Sequence, residues 1–338
     1  MPLSFVRGPR HSAAPGLSVT SLLRAGLLLG LVSALSACDG RPPPVAPGPE
    51  SPCPSRPCDG EVAIRPEGSV RIGALNVHRL FDTVCDSGKC GGSEYEALPS
   101  PAAFAAQADE IARGIELLDA DVMLLAEIET QAGLDALKAR LPEFPHGVLG
   151  ETGSAASVDV AVLSAYPITQ VLGHRERVLV RPNGTTTRFA RELLEVHLDV
   201  KGKQVIVFAA HFRSKVDDDA GRRYAEADAS RDIVTQAAAR SPRALVVLGG
   251  DLNDVPGSPP LVAMEAGSSL TRVAKDRPDT ETWTYVYSGQ RQAIDHLYIA
   301  NGAAGTYVPG SFRAVREGGS GLGGSDHAAV MADFLPAP

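Results

Sequence analysis

Beyond residue 37 this 338-residue sequence has no apolar run long enough to cross a bilayer, no internal repeat and no excess of basic charge. The first absence excludes a transmembrane helix beyond that point, and the second argues against solenoids and propellers. The third bears on nucleic acids. Three of the 32 basic residues, Arg7, Arg10 and Arg24, lie before Cys38 without any acid beside them, so the whole-chain charge of −8 falls by three, to −11, once that segment is removed. A protein that grips duplex DNA by broad charge neutralisation is normally basic. Net acidity argues against that mode of binding and leaves room for a local basic groove or a metal-assisted contact. Cysteine is also scarce, at five residues.

The N-terminal segment has its own logic. Basic residues precede the apolar stretch from Ala25 to Ala37, which is too short to span a membrane and has the form of a signal-peptide core. It ends in Leu35-Ser36-Ala37-Cys38, which resembles the lipobox of bacterial lipoproteins. That resemblance implies cleavage before Cys38, lipidation of Cys38 and a chain exported and tethered to the cell envelope; an ordinary secretory signal is the plainer alternative. Eight prolines between Arg41 and Pro57 make the following segment extended and unable to pack a core, hence a stalk. The expected organisation is a signal peptide at 1–37, the lipidated cysteine and linker at 38–68, and one catalytic domain at 69–336. The other four cysteines fall in two close couples, Cys53 with Cys58 and Cys85 with Cys90. In an exported chain, local disulfides are the simplest reading. A zinc site competes, weakened because no histidine sits near them at ligand spacing.

From Ser69 onward strand-like and helix-like patterns alternate. Apolar runs at Val70 to Val77, Val122 to Ala126, Val158 to Leu163, Leu193 to Val200, Val205 to Ala210, Ala244 to Leu248, His296 to Ala300 and Ala328 to Phe334 read as strands. Helical spacing marks Pro101 to Leu118, Leu134 to Leu141 and Ala220 to Ala239. This order predicts an α/β fold of two packed sheets with helices outside.

Polar residues end several of these runs. Asn76 closes the first strand, Glu127 follows Met123-Leu124-Leu125-Ala126, His211 follows Val207-Phe208-Ala209-Ala210, and Asp251 and Asn253 follow Val246-Val247-Leu248. Residues two apart on an extended segment face one side, so Asp251 and Asn253 can enter one site. Asp295 lies in Ile294-Asp295-His296 and His327 in Ser325-Asp326-His327. Carboxylates, amides and imidazoles are the groups that hold a hard cation beside a phosphate and manage protons. An imidazole beside carboxylates is readily protonated, which suits both His211 and His327 as donors. Singly, each of these is equally at home as a turn or core residue; the other histidines, including His78 and His296, read as structural.

Taken in order, Asn76-Val77-His78-Arg79-Leu80-Phe81-Asp82, Leu125-Ala126-Glu127-Ile128-Glu129, Gly250-Asp251-Leu252-Asn253, Ile294-Asp295-His296 and Ser325-Asp326-His327 resemble the endonuclease/exonuclease/phosphatase superfamily, the DNase I-like enzymes. His211-Phe212-Arg213-Ser214-Lys215 and Tyr287-Ser288-Gly289 look most like its secreted bacterial nucleases. The resemblance implies a four-layered sandwich, two central β-sheets flanked by helices, and Mg²⁺- or Mn²⁺-dependent hydrolysis of phosphoric esters. It also implies roles: Glu127, Asn76 and Asp326 as metal ligands, Asp251 and Asn253 orienting water and phosphate, His327 on the scissile phosphate with Asp295 or Asp326 fixing it, and His211 as a second catalytic histidine. One departure stands out, because His78-Arg79 replaces the Glu-Asn common before Leu-Phe-Asp, and Arg79 is either a phosphate contact or a solvated charge. Arg188, Arg191, Arg213 and Lys215, with Trp283, Tyr285 and Tyr287, are candidate substrate contacts.

The sequence therefore supports an exported nuclease with nucleic acid as substrate, the membrane reached through a lipid anchor and no protein partner. A phosphoesterase of lipid head groups or small metabolites is the alternative, and a non-catalytic surface lipoprotein the third reading.

Overall fold

The computed structural model describes residues 65–216, 218–319 and 321–337. Cys38, the proline-rich segment and the Cys53 and Cys58 couple lie outside the described residues. Strand β1 (Val70–Leu80) leads through helix α1 (Pro101–Glu116) to β2 (Val122–Ile128), and α2 (Gln131–Lys138) precedes β3 (His146–Gly150), β4 (Asp159–Ser164) and β5 (Ile168–Gly173). A small ribbon, β6 (Leu179–Val180) with β7 (Thr186–Thr187), comes before β8 (Leu194–Val200) and β9 (Lys203–His211). The long helix α3 (Ala220–Arg240) returns the chain to β10 (Leu245–Asp251), followed by α4 (Pro259–Met264), β11 (Leu270–Arg272) and the hairpin of β12 (Tyr285–Tyr287) and β13 (Gln290–Gln292). The last strands are β14 (Asp295–Ala300), β15 (Thr306–Tyr307), β16 (Arg313–Val315) and β17 (Ala329–Leu335).

Two large sheets result. One runs β15-β17-β1-β2-β4-β3 with β16 also on β17, and the other runs β11-β14-β10-β9-β8-β5. Each has one parallel pair at its centre, β1 with β2 and β9 with β10, joined by a helical crossover. Outside those pairs both sheets are antiparallel. The two sheets therefore share a pairing pattern although the sequence shows no repeat.

The layering follows from which side chains the strands bury. Ile72, Ala74, Leu124 and Val330 of the first sheet meet Val196, Val207, Val247 and Leu297 of the second in one core. The alternate residues Leu75, Met123 and Leu125 pack under Ile111 and Ile115 of α1 and Leu137 of α2. On the far side Ile206, Phe208 and Val246 pack under Ile233, Val234 and Ala237 of α3. Central strands are buried on both faces, which is why they read as continuous apolar runs. Helix starts are specified locally: the Ser100 hydroxyl accepts from Ala103 N ahead of Pro101, and Asp219 accepts from Arg222 N at the head of α3. This is the four-layered arrangement expected from the sequence. Cys85 and Cys90 form a disulfide with a Cα separation of 5.9 Å, so both sulfurs are in that bond and the zinc reading loses its thiolates.

Strand β8 carries a polar cluster on its outer face. Glu195, fully buried, accepts from His174 Nε2 at 2.8 Å and His197 Nε2 at 2.7 Å. Burial alone would raise its pKa, but the two imidazoles outweigh burial and hold it near 2, against an ordinary 4.5. A depressed carboxylate contributes stability that is complete above the unfolded value and disappears as pH falls through the folded one. The stability advantage of the natural protein over Glu195→Gln is thus expected to be full above about pH 4.5 and to shrink towards pH 2. Urea denaturation of both proteins across that window measures it; parallel curves would contradict the assignment.

Candidate active site

The parallel pairs of both sheets end at one edge of the sandwich, and the polar residues that close them meet there. Register places Asp251 beside His211 on β9 and opposite Asp295 on β14. From the other sheet, Asn76 Nδ2 donates to Asp251 Oδ2 and to Glu127 Oε1, each at 3.1 Å, and so ties the two sheets together. The Ser325 hydroxyl donates to Asn76 O at 2.7 Å and accepts from His327 N at 3.0 Å, which fixes the turn that presents His327. Asn76, Glu127, His211, Asp251 and His327 floor a cleft of about 420 Å³, whose walls include Arg79, Lys215, Tyr285, Tyr287 and Asp326.

Irregular backbone aims the side chains. Pairing between β1 and β2 shifts register between Asn76 and Leu80, opposite Glu127, and the bulge holds His78, Arg79 and Glu127 at φ 58°, 57° and 71°. Positive φ is costly for side-chain-bearing residues and concentrates at functional sites, and bulges re-aim side chains. On β10, Gly250 sits at φ 138°, and a Cβ there would lie 2.0 Å from the carbonyl oxygen of Ala210. Only glycine lets β10 pass β9 so closely and deliver the next residue, Asp251, into the cleft.

The charges sort into distinct states. His327 Nδ1 lies 2.9 Å from Asp295 Oδ2, and its Nε2 lies 4.0 Å from Asp251 Oδ2. Burial would lower the His327 pKa, yet Asp295, Asp251 and Asp326 together raise it to about 10, so the ring is an imidazolium at neutral pH. Burial and the charge of Asp295 lift Asp251 from 3.8 to about 7. Asp251 Oδ1 accepts from Asn253 N at 2.8 Å, while Asn253 Nδ2 donates to Phe212 O.

The expectation of two protonated imidazoles fails for His211. Its ring is 3.6 Å from Asp251 Oδ2 and 3.9 Å from Glu127 Oε1, but burial, reinforced by the charges of Arg191 and His327, drives its pKa well below 6.5. It is a neutral group here. Asn76 also differs from a simple oxygen ligand, because its Oδ1 is taken by His78 N and its amide nitrogen faces the carboxylates. Of the basic candidates, Lys215 lines the cleft, 3.2 Å from Asp254 Oδ1. Arg191 and Arg213 are not among the lining residues: Arg191 Nη1 donates to Phe212 O, and Arg213 Nη2 to Val216 O. Arg188 donates to Glu176 O at the surface. His78, read from sequence as structural, belongs to the cleft wall, with Nδ1 3.8 Å from Asp326 Oδ1. His296 is structural as expected, its Nε2 bonded to Asp254 O.

Thr284 escaped the sequence reading altogether. Its buried hydroxyl accepts from both Ile294 N and Asp295 N at 3.1 Å, while its carbonyl accepts from Ala328 N, so it braces the segments carrying Asp295 and His327. A threonine between Trp283 and Tyr285 looks like any strand residue, and no motif marks it. Tyr285 stacks on His327, with ring centres 4.9 Å apart.

The donor set fits a hard divalent cation. Glu127, Asp251, Asp295 and Asp326 form no ion pair with Lys or Arg among the described residues, and the buried Asp295 Oδ1 has no hydrogen-bond partner. Oxygen ligands without thiolates suit hard divalent ions over softer metals.

Comparison with known proteins agrees with this geometry. The sequence model described as "Endonuclease/Exonuclease/phosphatase family" matches residues 74–327. No curated protein sequence matches the chain. Among solved structures, the human Nocturnin catalytic domain with bound sulfate anion is similar at 16% identity and a TM-score of 0.57, covering 80% of this chain and 96% of its own. Truncated TDP2 from Caenorhabditis elegans is similar at 18% identity and 0.53, covering 79% and 97%. An endonuclease/exonuclease/phosphatase from Beutenbergia cavernae is similar at 21% and 0.53, covering 80% and 72%. At these identities the likeness is one of fold.

Two outcomes follow from the geometry. Replacing Asp295 by Asn removes the main charge that holds the His327 proton, so its pKa is expected to drop from about 10 towards the ordinary 6.5 in metal-free protein, read by NMR titration of the imidazole. An unchanged titration would sink the pairing argument. Gly250→Ala is expected to cost about 3 kcal/mol or more, from the positive φ and the collision with Ala210, and denaturant melts measure it.

Proposed function

We propose that this protein, which belongs to the endonuclease/exonuclease/phosphatase family of metal-dependent phosphoric ester hydrolases, is a nuclease that hydrolyses phosphodiester bonds of DNA or RNA. The observation that carries the reading is the stack of Tyr285 on His327 inside an open cleft. It places an aromatic face beside the imidazolium, and Tyr287, 62% exposed, extends that wall outward. Aromatic faces accept any nucleobase, and a phosphate between two nucleosides brings bases to such a wall.

The residues divide the work. Glu127 and Asp326 are the carboxylates that would hold the divalent ion, with Asn76 spacing Glu127 from Asp251. When bound, the ion supplies positive charge to a phosphate oxygen. Asp251, near neutrality in pKa and held by Asn253 and Asn76, takes the proton of the attacking water. His327, kept protonated by Asp295, offers Nε2–H to a non-bridging phosphate oxygen as charge develops there. His211, neutral and buried, orients groups beside Asp251 without adding charge. Arg79 and Lys215 on the rim suit the flanking phosphates.

The same reading holds the mature protein to be exported and tethered through Cys38. The segment before Cys38 supports it, and so does the Cys85–Cys90 disulfide, a bond that persists in oxidising compartments.

Purified protein is expected to cut plasmid and single-stranded DNA or RNA in Mg²⁺ or Mn²⁺ and to stop in EDTA. Asp251→Ala and His327→Ala are each expected to lower kcat by on the order of 10³-fold with the fold retained by circular dichroism. Release of phosphocholine or inorganic phosphate from small substrates, with nucleic acid untouched, would replace this reading by a head-group or metabolite phosphoesterase.

A further inference from the structure

We propose that Trp283, Arg291 and Arg316 form a second phosphate subsite, one that holds a non-reacting phosphate of the nucleic-acid strand next to the one being hydrolysed. The proposal rests on the nuclease reading of the cleft and concerns residues outside it.

Two guanidinium groups share one indole. The Arg316 Cζ lies 3.9 Å from the centre of the Trp283 ring and the Arg291 Cζ 4.6 Å from it. Many other arginines of this acidic chain meet carboxylates: Arg71 with Asp333 at 2.7 Å, Arg181 with Asp219, Arg223 with Asp218 and Arg231 with Asp228 at 2.8 Å each. Neither Arg291 nor Arg316 has a carboxylate within ion-pair distance among the described residues. The acids near these residues in sequence are engaged elsewhere: Glu281, before Trp283, with Arg277 at 4.0 Å, Asp295, after Arg291, with His327 at 2.9 Å, and Glu317, next to Arg316, with Arg113 at 3.7 Å.

The site is held rather than merely exposed. Arg316 Nη2 donates to Trp283 O at 2.6 Å and Glu281 O at 3.3 Å, and its buried Nε has no acceptor. Trp283 is 6% exposed, so the plane against which both guanidiniums lie is fixed. Arg291 is exposed on β13 and can close on an incoming anion. Burial and the neighbouring charge of Arg291 both disfavour the Arg316 cation, a repulsion that a bound anion would relieve. Arg316 is anchored through Nη2, so the N–H groups left to grip phosphate oxygens are its Nη1 and the guanidinium of Arg291, which make no hydrogen bond among the described residues.

Placement argues for a phosphate of the same strand. Trp283 is two residues from Tyr285, whose ring rests on His327, and the intervening Thr284 braces Asp295. Two extended residues span roughly 6.6 Å, a distance on the scale of one nucleotide step.

Trp283 is the sole tryptophan of the chain, so its fluorescence reports this site directly. In EDTA, a short oligothymidylate is expected to change the emission saturably in the full-length protein. Arg291→Gln is expected to weaken that binding about tenfold and to lower the salt slope by about 0.7, the value for one lost single-strand phosphate contact. Arg316→Lys, which keeps the charge but loses the fork, is expected to weaken it as well. In Mg²⁺, the ratio of kcat/KM for the oligonucleotide to that for a single-phosphate diester is expected to fall about tenfold in Arg291→Gln. Emission indifferent to the oligonucleotide, or equal affinity in Arg291→Gln, overturns the subsite. So does a response to inorganic phosphate alone, which marks a small-anion pocket. If the natural protein binds the oligonucleotide through Trp283 but does not cut it in Mg²⁺, the subsite stands and the nuclease reading falls.

Discussion

Asp251 and Asp295 face each other across the antiparallel pair β10 and β14, and almost no water reaches either. Two carboxylates in that position repel each other and lose their hydration, so one of them must take a proton or a cation must stand between them. The imidazolium of His327 supplies the nearest positive charge, bonded to Asp295 and turned towards Asp251. The rest of the cleft depends on this arrangement: it makes Asp251 a base near neutrality, keeps His327 protonated, and leaves Glu127 and Asp326 beside it without a Lys or Arg partner among the described residues.

Such an arrangement needs a rigid frame, and the two-sheet sandwich provides one. Interior packing resists displacement, so the central strands are held by the cores on either side. Deviations from regular structure appear where the polar groups must turn inward. The bulge opposite Glu127 and the glycine at 250 are local costs carried by that surrounding stability.

The central strands were legible because both their faces are apolar, and α1 and α3 because of their helical spacing. Edge strands were not. β5 is exposed along nearly all its length, and β6, β7 and β15 are two residues each, so no apolar pattern marks them. For the site, sequence order and motif spelling identified Glu127, Asp251, Asn253, Asp295 and His327, because polar residues ending apolar strands are conspicuous. Protonation was not legible. His211 and His327 both stand among carboxylates, and what separates them is complete burial without a hydrogen-bonded acid for one and a 2.9 Å bond to Asp295 for the other. Thr284 and the guanidinium pair on Trp283 arise from contacts between segments that meet only in three dimensions.

On the proposed nuclease reading, an acidic protein acting on a polyanion is less paradoxical than its net charge suggests. At physiological ionic strength the Debye length is about 8 Å, so charges beyond one or two side chains from the cleft are largely screened. What a phosphate meets on approach is local: Arg79 and Lys215 at the rim, His327 at the floor, and Arg291 and Arg316 beside the β12–β13 hairpin. The distant carboxylates then act mainly by withholding the broad affinity that a basic surface would give. Without that affinity, a nucleic-acid strand would be held at the few positions where a cation faces it. The aromatic face of Tyr285 against His327 adds attraction that salt does not screen, so recognition at this cleft is expected to lean on stacking more than a basic nuclease would.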